Sequence, residues 1–184
     1  MKSIKLLVME HENIIRACDT VHKMNLRAFK TGEISIEDYQ SFLDFGANYA
    51  DKHHHQKEEK VLFKHMLENL GEVASTLIKN GMLVEHDLGR YHARCLKKAL
   101  TSYGENYSDE AKLAIIYNSE AYTELLRRHI DKENAACYTF AERALSSDIK
   151  EIVEKETFEI EAEASENDIQ SKYLNILATL EAKY

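Results

Sequence analysis

Not one proline interrupts the 184 residues. Proline removes a backbone donor and kinks or ends a helix, so a chain without it is free to run as a few long helices. Only six glycines offer other places to turn. Charged residues make up 30% and hydrophobic residues 44%, the balance of amphipathic helices with one wet and one dry face rather than of many-turned β structure. A chain of this length closes a core as one domain without needing disulfides. The expected class is all-α.

Leu7, Ile14, Cys18 and Val21 recur at the helical period, and Thr31-Gly32 ends that first segment. Ser35 is placed to cap a second helix, with Asp38 returning the bond, and this helix runs to Leu70 before Gly71. A third extends from Glu72 to about Tyr103, with Asn80-Gly81 as a point of interruption; a fourth runs from a Ser108 cap to about Ser146. Connections this short make neighbours antiparallel, which predicts an up-down-up-down four-helix bundle over residues 1–146. Residues 147–184 read as a C-terminal helical extension packed on its outside. Its stripes are Ile149, Ile152, Val153 and Ile160, then Ile169, Tyr173, Ile176, Leu180 and Tyr184, with Ser165 and Asp168 as a cap between them.

Several function classes drop out. No run is long enough to span a bilayer and no cleavable apolar stretch opens the chain, so the expected setting is cytoplasmic. Cys18, Cys95 and Cys137 are odd in number and widely spaced, and read as small core residues rather than a disulfide framework. Net charge is −8, and the tail from Ser147 to Tyr184 carries ten acids against four bases. That argues against a nucleic-acid partner.

Nine histidines raise the question of a metal, and their placement says more than their number. His11 lies between Leu7 and Ile14, His86 between Met82 and Ala93, His129 follows Leu125 and Leu126, and His55 precedes Leu62, Phe63 and Met66. Each long segment thus turns a histidine toward the core. Two have a carboxylate one turn on, His55 with Glu59 and His129 with Glu133, the i,i+4 spacing that puts both groups on one face. Unpaired carboxylates are expensive in an apolar core. Two inward glutamates therefore need cationic company, which metal ions supply.

Depth gives an independent check. The midpoint between His11 and His55 falls in the Thr31–Ser35 turn, that between His55/Glu59 and His86 near Gly71, and that between His86 and His129/Glu133 near Ser108. At about 1.5 Å rise per residue, all six side chains share one layer to within roughly a turn. His54 and Glu58 form a competing pair offset by one residue. The stripe through Leu62, Phe63 and Met66 favours His55/Glu59, with His54 or Glu58 available as an additional ligand. His53 is expected in solvent, and His22, His65 and His92 as structural or surface residues. Tyr122 is expected to line the site or the core, and Cys137 to pack in the core. Imidazole plus carboxylate suits iron, manganese or zinc, and shared carboxylates in a helical bundle favour a dinuclear iron centre.

Four segments carry a family resemblance: Met9-Glu10-His11-Glu12-Asn13-Ile14, His54-His55-Gln56-Lys57-Glu58-Glu59-Lys60-Val61-Leu62-Phe63, Val84-Glu85-His86-Asp87-Leu88-Gly89-Arg90 and His129-Ile130-Asp131-Lys132-Glu133-Asn134. In order and spacing they resemble the four blocks of the hemerythrin-like (HHE cation-binding) family, over most of residues 1 to 146. The resemblance implies two non-haem iron ions joined by an oxo or hydroxo bridge, with His11, His55, His86 and His129 as terminal ligands and Glu59 and Glu133 as bridges. Two departures stand out. Oxygen-carrying members have a second histidine one turn beyond the third-helix one, where this chain has Arg90; their fourth-helix carboxylate is an aspartate five residues on, where this chain has Glu133 at four.

Three functions are expected on these grounds. The first is binding, sensing or scavenging of dioxygen or nitric oxide in an apolar pocket. The second is an oxidoreductase (peroxidase, dioxygen or nitric oxide reductase, or ferroxidase) using the coordination position that Arg90 leaves open, with a peroxide or diatomic substrate and a separate redox partner protein. A helical interaction module whose buried His and Glu only satisfy each other is the third.

Overall fold

A computed structural model describes residues 1–184, which are helical almost throughout and contain no strand. Six helices succeed one another: α1 (Lys2–Thr31), α2 (residues 36–69), α3 (residues 71–105), α4 (residues 109–144), α5 (Ser147–Glu166) and α6 (Ile169–Lys183). No helix is long and apolar enough to cross a membrane. Gly32, left-handed at φ 77°, closes α1 by donating its N–H to Ala28. Ser108 Oγ caps α4 by accepting from Ala111 N–H at 3.1 Å.

Two cap expectations change. Ser35 Oγ does accept from Asp38 N–H, but the Asp38 carboxylate turns to Lys183 and the Tyr184 hydroxyl instead of returning the bond. Ser165 does not cap α6; Asp168 takes a left-handed turn at φ 55° there and donates its N–H to the Ser165 carbonyl. Asn80-Gly81 does not interrupt α3, because a π turn over Ile78–Met82 carries the helix through.

Three further π-wound stretches, Gly46–His55, Glu58–Leu62 and Glu133–Cys137, lie in α2 and α4. A π turn bonds to the fifth residue instead of the fourth, so each adds a residue and rotates the remainder of the helix by about 100°. All three flank or contain candidate site residues.

Polar pairs fix how the helices lie. Between α1 and α2, Tyr39 donates to Asn25, Asn13 to Tyr49 and His54 to Glu10, so α1 numbers fall as α2 numbers rise. Between α1 and α4 the same reversal links Asn25 to Glu120, Asp19 to Arg127 and His11 to Asn134. The apolar core is divided. One cluster holds Val21, Met24, Tyr39, Phe42, Phe45, Leu96, Leu100 and Ile115; the other holds Ile4, Leu7, Val61, Leu62, Phe63, Met66, Ile78 and Tyr138. A polar layer separates them.

The tail docks on both clusters. Val153 of α5 enters one, while Tyr173, Leu177 and Leu180 of α6 enter the other. Its acids find specific partners: Glu154 accepts from Ser3, Glu156 from His65 and Glu181 from Arg16 through two nitrogens. Cys18, Cys95 and Cys137 are all free thiols, and Cys18 and Cys137 are buried.

Leu177, 1% exposed, should lose about 2–5 kcal/mol of stability on replacement by alanine. Ile152, on the expected stripe but 41% exposed, should lose about 0.5 kcal/mol or less; urea unfolding of the two variants separates the inner and outer faces of the tail. Burial would raise the Asp38 carboxyl, but bonds from Lys183 and Tyr184 outweigh it and hold it below its ordinary value. A depressed acid adds stability above its unfolded pKa of about 4 and loses it as pH falls through the folded value. Asp38→Asn should therefore be less stable than the parent at neutral pH, with the gap closing below about pH 4 in denaturation series run at each pH.

Candidate metal centre

Seven side chains meet in the polar layer. His11, His54, Glu58 and Glu133 form one group and His55, His86 and His129 another, each with ligand atoms within 4.8 Å of one another. All seven are buried. The two groups are joined by the carboxylates. Glu133 lies 3.2 Å from both His11 Nε2 and His129 Nε2 and 3.6 Å from His86 Nε2. Glu58 lies 3.5 Å from His54 Nε2 and 3.6 Å from His86 Nε2.

Each imidazole is aimed by an acceptor on its far side. Nδ1 of His11 meets Asn134 Oδ1 at 3.0 Å, His54 meets Glu10 at 2.8 Å, His55 meets Asp51 at 3.1 Å, His86 meets Glu59 at 2.6 Å and His129 meets Glu85 at 3.1 Å. An Nδ1–H donated outward leaves the Nε2 lone pair facing inward, the tautomer that a metal requires. His11 Nε2 and His54 Nε2 face each other at 2.9 Å. On the inner side, His86 Nε2, His129 Nε2, Glu58 Oε2 and both Glu133 oxygens are buried with no hydrogen-bond partner. Buried polar atoms are seldom left unpaired, and five such atoms converging on one layer fit a shared cation load. Tyr138 Oη donates to the remaining Glu58 oxygen at 2.6 Å.

The electrostatics agree. Burial, then the Glu133 charge, push the Glu58 carboxyl well above its ordinary range. Glu133, equally buried, is held well below its range by His129, His11 and His86. Two carboxylates this close cannot both stay ionised without a cation between them. Burial, and then the neighbouring His11 and His86 respectively, lower His54 to about 3 and His55 to about 4, which keeps both as neutral donors.

Of the residues expected at the site, the structure brings His11, His55, His86, His129 and Glu133 into the layer. Glu59 falls elsewhere. Its carboxylate is half-exposed, accepts from His86 Nδ1 and pairs with Arg90 Nη2 at 2.7 Å, so it supports His86 from outside. Glu58 occupies the inner position, and His54 and His55 both face in. Adjacent residues on a regular helix diverge by about 100°; the wider π winding over Gly46–His55 and Glu58–Leu62 narrows that angle, and both rings reach the layer. The His54/Glu58 pair is the competing register in the sequence, but no stripe built on a 3.6 period brings His54 and His55 in together. His53, expected in solvent, is 4% exposed. Arg90 does not enter the layer but links Asp51, Glu59 and Asp87. His22 is exposed beside Glu120, and His65 is buried against Glu156. Beside His55, His86 and His129 a cavity of about 10 Å³, walled by Gly89, Arg90 and Tyr122, has room for about one water-sized molecule.

Compared with known proteins, residues 2–141 match the family model described as the hemerythrin HHE cation binding domain. No curated protein and no solved structure matches the chain.

Glu58→Gln or Glu133→Gln should abolish most metal binding, since each removes an anion that faces both groups. Glu59→Gln should keep binding and weaken it by about 10–100-fold, the usual effect of losing an outer hydrogen bond to a ligating imidazole. Metal titrations followed by elemental analysis check both; loss in Glu59→Gln as complete as in Glu58→Gln would reverse the inner and outer roles.

Proposed function

The chain belongs to the hemerythrin HHE cation-binding domain family, and on that footing we propose that it holds two non-haem iron ions and binds, senses or scavenges dioxygen or nitric oxide at them. His55, His86 and His129 would hold one ion and His11 and His54 the other, with Glu58 and Glu133 available to both. The observation that carries this reading is the set of partnerless inner atoms, imidazole nitrogens and carboxylate oxygens together, in a layer sealed by apolar clusters on both sides. Imidazole with carboxylate suits iron, manganese and zinc, and shared carboxylates favour a dinuclear redox pair. Bound there, iron would supply reversible electron transfer to a small ligand.

The chain's own residues would do the rest. Asn134, Glu10, Asp51, Glu59 and Glu85 keep the five imidazoles oriented. Tyr138 steadies Glu58 by donating a hydrogen bond to it from within the layer. The small cavity beside Tyr122 restricts what reaches His55, His86 and His129 to about the size of a water molecule, which favours a very small ligand. Arg90, tied to carboxylates outside the layer, gives less support to the oxidoreductase reading than its sequence position suggested, because His55 brings a third imidazole to that group. The oxidoreductase remains the second reading, with a separate redox protein as electron source. The reversed polar pairs support an up-down-up-down bundle over residues 1–146 with residues 147–184 as an added helical extension, and free thiols fit a cytoplasmic setting.

Protein from iron-supplemented cells should contain about two irons per chain. The reduced form should change its spectrum with dioxygen or nitric oxide and recover it when the gas is removed. Sustained consumption of peroxide or dioxygen with an electron donor would instead favour the oxidoreductase, and protein that takes up no iron would sink both readings.

A further inference from the structure

Next to His54 lies a second polar cluster, which shares with the iron centre only Glu10, the acceptor that aims His54. Lys57 is wholly buried, an unusual place for an ammonium group. Its Nζ donates to Glu10 Oε1, to Glu161 Oε2 at 2.6 Å and to His53 Nε2 at 3.0 Å. An ammonium has three N–H donors, and all are used. The three acceptors come from α1, α5 and α2, and their ligand atoms lie within 4.8 Å of one another. His53 Nε2 lies 3.0 Å from Glu10 Oε1 and 3.5 Å from Glu161 Oε2, separations that suit donors around a single ion at roughly 2.0–2.2 Å. One imidazole and two carboxylates are a donor set for zinc, manganese or iron. An open cavity of about 300 Å³, lined by Asn48, His53, Gln56 and Glu163, gives solvent ions a path to His53.

We propose that Lys57 is a tethered cation filling a third metal site, which it keeps closed to divalent ions while binding α5 to α1 and α2. Glu10 explains why a lysine serves better there than a metal. Its other oxygen accepts from His54 Nδ1 at 2.8 Å. A divalent ion drawing on both Glu10 oxygens would take from His54 the acceptor that aims it, whereas an ammonium uses one oxygen and leaves the other. Glu161 completes the site from the tail and is itself steadied by Gln170 of α6, whose Nε2 donates to it at 2.8 Å. The acidic extension thereby contributes a carboxylate to the interior next to His54. The filled third site shares no ligand with the irons and touches their centre only through Glu10, so it can fail while that assignment holds.

The test opens the site. Lys57→Ala leaves two carboxylates and an imidazole around a void, and the melting temperature should drop by on the order of 10 °C, as expected when one partner of a buried ionic cluster is removed. Added Zn²⁺ should then restore about half of that loss or more by binding only the folded form. Elemental analysis should find about one zinc per chain beyond what the parent protein takes up under the same conditions. The extra ion should vanish in Lys57→Ala/His53→Ala and persist in Lys57→Ala/Glu58→Gln, where the iron centre is disabled. Lys57→Met, which refills the space without charge, should be destabilised and gain nothing from zinc. If Lys57→Ala folds only when zinc is present, the proposal is supported in its strongest form. A folded Lys57→Ala protein with no extra zinc and no thermal recovery overturns it, as does a Lys57→Met protein as stable as the parent.

Discussion

Glu58 and Glu133 lie side by side between two apolar clusters, beyond the reach of water. Much else in the molecule answers to that placement. Ionised carboxylates in such surroundings are stable only with positive charge and hydrogen bonds supplied locally, and every long helix contributes to that supply. The five imidazoles point their free nitrogens at the pair, and each is held by an acceptor on its outer side. Helix α1 thus serves twice, with His11 facing in and Glu10 aiming a histidine of α2. The family's cation-binding character and the local electrostatics express the same requirement.

A bundle of regular α-helices does not readily meet that requirement. Two adjacent histidines on one helix point about 100° apart, so only one of them would reach the layer. The π winding of α2 lets both do so, and a similar turn begins at Glu133 in α4. Such turns are rare and, where they occur, are frequently at functional sites. Here large buried side chains on both sides, Phe42, Phe45 and Tyr49 before the histidines and Leu62, Phe63 and Met66 after them, hold the rewound helix in place.

The tail changes meaning in this setting. By composition it is an acidic surface strip, yet its carboxylates land on Ser3, Arg16, Lys57 and His65, and its apolar residues complete both clusters. A surplus of acid on a helix is compatible with tight docking when the face beneath it offers donors at matching heights. Lys57 is the clearest case, since it is itself buried and would be costly without Glu161 and Glu10.

Helices, their ends and the depth of the histidine layer could be read from the sequence, because the absence of proline, the helical period and the Gly32 and Ser108 caps are local signals that tertiary contacts did not override. His11, His86, His129 and Glu133 were legible for the same reason: each sits on a simple stripe in a regular helical stretch or at the start of a π turn. What only the tertiary structure decided was the rotation of α2. His54/Glu58 and His55/Glu59 stand as competing registers in the sequence; a one-residue expansion of a turn decides between them, bringing His54 in beside His55, placing Glu58 inside and Glu59 outside, and burying His53 and Lys57. Periodicity assumes a constant twist, and at the site the twist is set by the packing of other helices around the buried charges.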